Sequence, residues 1–356
     1  MDEVRMNESE LKRFCEDILV KGGVERVTAK TVADILLYAD MRGIESHGIQ
    51  WLPIYMKRLS AGGVAVKAQA TVEADKKATC IVNANNGFGQ VAVVKAVEMA
   101  IDKARVYGVG AVGVAHSNHM GALGYYALRA AEAGFISIIC GNTTPLMPPW
   151  GSKELRLGTN PLCIGIPAGE HYPIIIDMAT SASARGKLFI AEKKGEKIPL
   201  GWALDSDGQP TDDPQKAIKG CLLPMAGPKG YGLAMAIDVL CGVLTGSLFG
   251  KHITSLFGNT DVPQNVGHFV VAVNVEHFID RSYYNSQIEL LIEGLREVKP
   301  LPSVDKIFLP GEIEYLKYLE NKKQGVAVGK KSLSEVEALG RQLGLDPGKY
   351  SLYITK

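Results

Sequence analysis

Five short runs between residues 79 and 179 constrain the fold more than any other feature. They are TCIVNAN (79–85), VGAVGVA (109–115), FISIICGN (135–142), LCIGIPA (162–168) and YPIIIDMA (172–179). Each is rich in β-branched residues and bounded by Gly, Asn or Pro, so each reads as a buried strand. Helical patterns fill the gaps at 88–107 and 121–134. Strands alternating with helices predict an α/β domain built on a sheet. HFVVAVNV (268–275) reads as one further strand.

Both ends of the chain have a helical texture. ESELKRFCEDILVKGG places Leu11, Phe14, Cys15, Ile18 and Leu19 on one face, and Gly22 and Gly23 stop it. TAKTVADILLYADMRG repeats the pattern, with Thr28 as its N-cap and Gly43 past its end. WLPIYMKRLSAGG ends at Gly62 and Gly63, and SLSEVEALGRQLGL closes the chain as a helix. The expected plan is a helical part at 1–72, an α/β cofactor-binding domain at 73–222, and a buried helical segment at 223–262. The chain then returns to the α/β domain at 263–300 and ends in a helical part at 301–356.

Charge and cysteine use narrow the partners. The 356 residues carry a net charge of +1, and the basic residues are scattered apart from the pairs Lys322–Lys323 and Lys330–Lys331. No segment has the basic footprint of a nucleic-acid binder. The six cysteines show no C-x-x-C spacing, which reads as free thiols in a reducing compartment, the cytoplasm. The N-terminus lacks the apolar core of a secretion signal. YGLAMAIDVLCGVLTGSLF (231–249) is about bilayer length, but Asp238 in its middle makes a buried helix the better reading and excludes a membrane partner.

GVGAVG (108–113) matches the dinucleotide pattern G-x-G-x-x-G. That fingerprint needs a strand before the glycines and a helix after them. Here the order is reversed. Val93, Val97, Ala100, Ile101 and Ala104 make the preceding segment helical, and Gly110–Val114 itself reads as strand. Glu132 lies about 20 residues on, where a ribose-binding acid is expected, but among alanines late in the next helix. The glycines instead end a helix and allow a strand to pack closely on it.

Polar residues concentrate in loops. HSNHMG (116–121) follows a strand end, where α/β proteins place ligands. His116 reads there as a loop-capping residue, while His119 stays open between a capping and a catalytic role. His47, in the connector ESHG, reads by itself as a structural or solvated turn residue, with a catalytic role as the alternative. GTNPL (158–162) enters a strand, and DMATSASARGK (177–187) leaves one. GPKGYG (227–232) sets Lys229 at a helix start, which suits either a bound anion or a capped turn with a solvated lysine.

Six segments occur in a fixed order: RGIESHG (42–48), SNHMGALGYYA (117–127), PPWGSKELRLGTNPL (148–162), IDMATSASARGK (176–187), IPLGWALDSDGQPTDDP (198–214) and GPKGYGLAMAIDVL (227–240). With them the chain resembles the malate/L-lactate dehydrogenase family of the non-Rossmann type, from about residue 8 to about 345. Relatives there include ureidoglycolate and sulfolactate dehydrogenases, 2,3-diketogulonate reductase and Δ1-piperideine-2-carboxylate reductase. The resemblance implies a non-Rossmann, mixed-sheet α/β nucleotide-binding domain, with a helical domain formed from both ends of the chain. It implies an NAD-dependent oxidoreductase, with NADP as the alternative, acting on a small 2-hydroxy or 2-oxo acid as a homodimer. His47 and His119 are its expected catalytic pair. Asn160, Asp177, Met178, Ala179, Lys229, Gly230, Gly311 and Glu312 are its expected cofactor contacts. Malate and oxaloacetate are the first substrates expected, followed by lactate with pyruvate, then ureidoglycolate.

A histidine suits the proton transfer, because its unperturbed pKa of about 6.5 lets it exchange protons near neutrality. The cofactor carries the redox chemistry, so no metal is expected. One residue departs from the family pattern. Many members carry an arginine four residues after the SHG histidine, and this chain has Trp51. Arg58, Arg185 and Lys153 are candidates to hold a substrate carboxylate instead. Two other classes remain: a zinc hydrolase built on His116, His119 and Asp177, and a cofactor-binding protein without turnover.

Overall fold

The computed structural model describes residues 3–354. It opens with a short strand, β1 (Glu3–Met6), and three helices, α1 (Glu8–Lys21), α2 (Arg26–Met41) and α3 (Leu52–Ala61). The Asn7 side chain starts α1 by accepting the backbone N–H groups of Ser9 and Glu10. The predicted face of Leu11, Phe14, Cys15, Ile18 and Leu19 is buried throughout. α2 corrects one expectation. It begins two residues before Thr28, after an extended Glu25 with no side-chain cap, because Ala29, Val32, Ala33 and Leu36 are already packed inside. α3 stops where Gly62 turns left-handed at φ +91°.

The sheet follows. β2 (Thr71–Lys76) and β3 (Thr79–Asn83) pair antiparallel, and α4 (Gly89–Tyr107) crosses to β4 (Val109–Ser117), which runs parallel to β3. α5 (Gly124–Glu132) leads to β5 (Phe135–Gly141), and then come β6 (Leu162–Ile166) and β7 (Ile174–Met178). A satellite of α6 (Arg185–Lys194), β8 (Ala203–Leu204), α7 (Pro214–Lys219) and β9 (Cys221–Leu222) packs on its own small core of Met147, Leu188, Ile198 and Leu222. α8 (Pro228–Asp238) runs into a π-helical turn at Val239–Val243, and β10 (Val266–Asn274) re-enters the sheet. α9 (Arg281–Arg296), α10 (Glu312–Gln324), β11 (Val326–Gly329) and α11 (Lys330–Gln342) complete the chain.

The strand order is β2-β3-β4-β10-β5-β6-β7, and only the β3–β4 pair is parallel. The sheet is therefore mixed and not Rossmann, as expected. β11 pairs antiparallel with β1, and Val326, Val328, Leu333 and Val336 join Phe14, Ile18 and Leu36 in one core. The helical domain is thus built from both ends of the chain.

The glycine pattern does structural work. Gly108 ends α4 at φ +81°, and a Cβ on Gly110 would lie 2.1 Å from the Ala100 carbonyl oxygen. Any larger residue there would push the helix off the strand. The 231–249 stretch differs from expectation. Ala234, Ile237, Asp238 and Cys241 are buried, but Met235, Val239, Val243 and Leu244 are about half exposed. Only one side of this element packs on the sheet, so the segment is amphipathic rather than buried. No helix among the described residues is long and apolar enough to cross a membrane.

Candidate active site

β4 and β5 end at the same edge of the sheet where β10 begins, because β10 runs antiparallel to both. That edge gathers the loop after Ser117, the turn 141–144, and Gln264, Val266 and His268. The connector between α2 and α3 lies over it. Together they enclose a cavity of about 980 Å³.

His47 and His119 meet on the wall of this cavity, with ring centroids 5.8 Å apart and planes 21° from parallel. Each ring is anchored through its Nδ1. His47 Nδ1 shares a 2.9 Å hydrogen bond with Ser46 Oγ. His119 Nδ1 shares one of 2.7 Å with Tyr55 Oη, which also receives the Gln90 amide at 2.9 Å. The His119 backbone N–H donates to Gln264 Oε1 at 3.1 Å. Among the described residues neither Nε2 has a protein partner, so both free edges serve the cavity.

Burial holds both histidines neutral. It lowers His47 to about 4 and His119 to about 3, with nearby His47 and His268 lowering His119 further. His268, which the sequence reasoning missed, lies buried at the same wall. Its Nε2 lies 3.0 Å from Ser117 Oγ and 3.1 Å from the Asn118 carbonyl, while its Nδ1 finds no partner. Burial lowers it to about 4. A histidine opening an otherwise apolar strand was the available signal.

The connector is pinned from below. Buried Asp40 accepts the Ile49 N–H through Oδ2 at 2.8 Å. A Cβ on Gly48 would lie 1.7 Å from Asp40 Oδ1, so only glycine fits between the turn that carries His47 and this carboxylate. Burial raises Asp40 to about 8.

The expected cofactor contacts divide. Asp177, Met178, Ala179 and Gly311 line the cavity with the histidines. Gly311 sits at φ +84° against Ile175, because the Ile175 N–H bonds the Pro310 carbonyl and draws LPGE onto β7. Asp177 has a structural task as well: Oδ2 accepts the Gly124 N–H at 2.8 Å, at the start of α5. Burial raises it to about 6. Asn160, Lys229, Gly230 and Glu312 stand off the wall. Asn160 is buried and ties Thr143 to Ala234. Gly230 packs against the Met225 carbonyl, and Lys229 beside it is exposed. Glu312 pairs with Lys306 and Arg296 and caps Leu309.

Trp51 stacks on His119 at 4.6 Å, and Phe257 packs on Trp51 at 5.4 Å. Among the described residues no cation stacks on Trp51. Arg58 is buried and donates to backbone carbonyls of the 255–262 loop and to Gly63, and Lys153 bonds the Ser206 carbonyl. Of the three candidates, Arg185 alone lines the cavity. Arg42 and Lys57, which sequence reasoning passed over, line it too.

The zinc constellation does not assemble. His116 turns to Asn265, Nδ1 to Oδ1 at 2.9 Å, while Asp177 caps α5. Among the described residues no three His, Cys, Asp or Glu side chains converge to hold a metal.

Comparison with known proteins matches residues 6–337 to the family described as malate/L-lactate dehydrogenase. An L-sulfolactate dehydrogenase of Methanothermobacter thermautotrophicus is 38% identical over 343 residues, covering 96% of this chain and 98% of that protein. A malate dehydrogenase of Pyrococcus abyssi is 37% identical over 350 residues, covering 96% of each. The solved structure of sulfolactate dehydrogenase from Methanocaldococcus jannaschii superposes with a TM-score of 0.92 at 36% identity, covering 97% of this chain and 99% of that one.

Proposed function

The chain belongs to the malate/L-lactate dehydrogenase family, and from that premise we propose that it interconverts a small 2-hydroxy acid and its 2-oxo acid with NAD, NADP being the alternative. Malate and oxaloacetate are the first pair. The Pyrococcus abyssi relative supports that choice. The observation that carries the reading is the pair of free Nε2 edges on one cavity wall, with His119 held from behind by Tyr55.

The cavity fits a dinucleotide. Its 980 Å³ lies at the upper end of the roughly 300–1,000 Å³ usual for ligand sites. It runs from the histidines to Asp177, Met178, Ala179 and Gly311, and Arg42 in its wall has a buried Nε without a partner. A bound nicotinamide supplies or takes the hydride at C2 of the acid.

The protein's own groups manage the proton. With Nδ1 engaged by Tyr55 Oη, proton exchange at His119 is confined to Nε2. Nε2–H protonates the substrate oxygen in reduction, and the Nε2 lone pair takes that proton in oxidation. His47, parallel to it, orients the same oxygen or the carboxylate through its own Nε2. Burial keeps His119 neutral before substrate arrives. An arriving carboxylate favours its protonated form, so substrate binding itself arms the acid.

The half-exposed Met235, Val239, Val243 and Leu244 form an apolar face that a second copy of the chain would cover, which supports the homodimer. The six buried free thiols support a cytoplasmic location.

The test is NADH and NADPH oxidation by the purified protein with oxaloacetate, pyruvate, sulfopyruvate, 2-oxoglutarate and 2,3-diketogulonate, together with malate and ureidoglycolate oxidation in reverse. Turnover with a 2-oxo acid, highest for oxaloacetate, is expected. No turnover with any acid, in either direction, would refute the reading.

A further inference from the structure

Arg42 is a buried cation without a counter-anion. Its residue is 8% exposed, and among the described residues it forms no ion pair. Its guanidinium carbon lies 3.9 Å from the Tyr38 ring centroid and 4.6 Å from that of Tyr318, so two aromatic faces clamp it. Its one hydrogen bond is long, 3.4 Å to Tyr172 Oη, and its Nε has no partner. Tyr172 is itself fixed by stacking on Tyr315 at 3.9 Å. Lys322 lies close enough to interact with Arg42, which adds like charge. The cavity's two carboxylates at this end do not neutralise it. Asp177 is committed to Gly124, and among the described residues Glu314 forms no ion pair with Arg42.

Burying a guanidinium in this state is unfavourable unless an anion completes it. The aromatic clamp fixes the planar fork in one orientation, which suits a tetrahedral oxyanion better than a mobile lysine would. Arg42, Tyr172, Gly311 and Asp177 line the same cavity as the two histidines. The substrate is turned over at the histidines, so the anion at Arg42 belongs to the other partner in the cavity.

We propose that Arg42, held between Tyr38 and Tyr318, is the seat of a phosphate group of the nicotinamide dinucleotide. This rests on the reading of the protein as a dinucleotide-dependent dehydrogenase. Two phosphates share that chemistry, the bridging pyrophosphate of either dinucleotide and the 2′-phosphate of NADPH alone.

The test measures binding, not turnover. Dissociation constants of NADH and NADPH are determined by fluorescence titration for the wild type, Arg42→Gln and Arg42→Lys, with thermal melts to confirm folding. Arg42→Gln should weaken binding by about tenfold or more, and Arg42→Lys by less, because charge is kept while the bidentate fork is lost. Loss confined to NADPH places the 2′-phosphate at Arg42, and equal loss for both places the pyrophosphate there. Both variants folded and binding both dinucleotides within about twofold of wild type would overturn the proposal. If Arg42→Gln fails to fold, competition on the wild type decides. ADP or 2′,5′-ADP should displace a bound dinucleotide more strongly than adenosine, and equal displacement by all three would overturn it. A wild type that binds neither dinucleotide would instead sink the dehydrogenase reading.

Discussion

Replacing Tyr55 with phenylalanine removes one oxygen from beneath His119 and changes almost nothing else. The ring is 3% exposed and packs in the helical core, so its volume and contacts are kept. Two hydrogen bonds disappear, 2.7 Å to His119 Nδ1 and 2.9 Å from the Gln90 amide. A hydrogen bond to a group that becomes charged is worth about 1.5–3 kcal/mol, which corresponds to roughly 10- to 150-fold in rate if it is realised in the transition state. The Gln90 amide is then left buried, beside an Oε1 that already lacks a partner, at a stability cost of about 1–3 kcal/mol. Steady-state kinetics with a 2-oxo acid should show kcat and kcat/KM falling by the same factor, with little change in cofactor affinity. A folded Tyr55→Phe protein with kcat within about twofold of wild type would refute the role given to Tyr55.

Three further outcomes follow from the same geometry. His119 is held near 3 in the free protein, so kcat/KM for reduction should fall by about tenfold per pH unit between pH 5 and 8, whereas kcat, which reports the armed complex, should fall less; parallel slopes in the two profiles would contradict arming by substrate. Asp40 is raised to about 8, above its unfolded value near 4, so its protonated form favours the fold and that contribution is lost as pH climbs between those values. Melting temperatures of Asp40→Asn should therefore gain on wild type from pH 5 to pH 9, and a constant difference would count against a buried, titrating Asp40. Gly48→Ala should destabilise the connector by about 1–3 kcal/mol, because its Cβ meets Asp40 Oδ1; a denaturation midpoint equal to wild type would show that the connector yields.

Much of the fold was legible from local pattern. The five β-branched runs became strands because such runs fit a sheet buried on both faces, and the helix before GVGAVG argues against a Rossmann turn from the sequence alone. Strand order was not legible. β10 enters between β4 and β5 from more than 100 residues away, a pairing that no local pattern records. β1 and β11 were missed because four-residue strands at the two ends of the chain become strands only by finding each other. At the site, the histidines stood out by residue type and by the motifs around them. Tyr55 and Arg42 did not, because a tyrosine in a helix and an arginine at a helix end look like core and surface residues until the packing sets Tyr55 behind His119 and Arg42 in the cavity wall. Asn160, Lys229, Gly230 and Glu312 show the opposite case. The family resemblance carried them into the expected set, and the structure gives Asn160, Gly230 and Glu312 work in holding the walls.

The most direct test of the central claim is NADH consumption with oxaloacetate by wild type and His119→Gln, with NADH affinity measured on the same samples. The account predicts turnover by the wild type, a loss on the order of 100-fold or more in the variant, and NADH affinity within about threefold. A folded variant that turns over at close to the wild-type rate would contradict it, because the proton would then be moving through some other group.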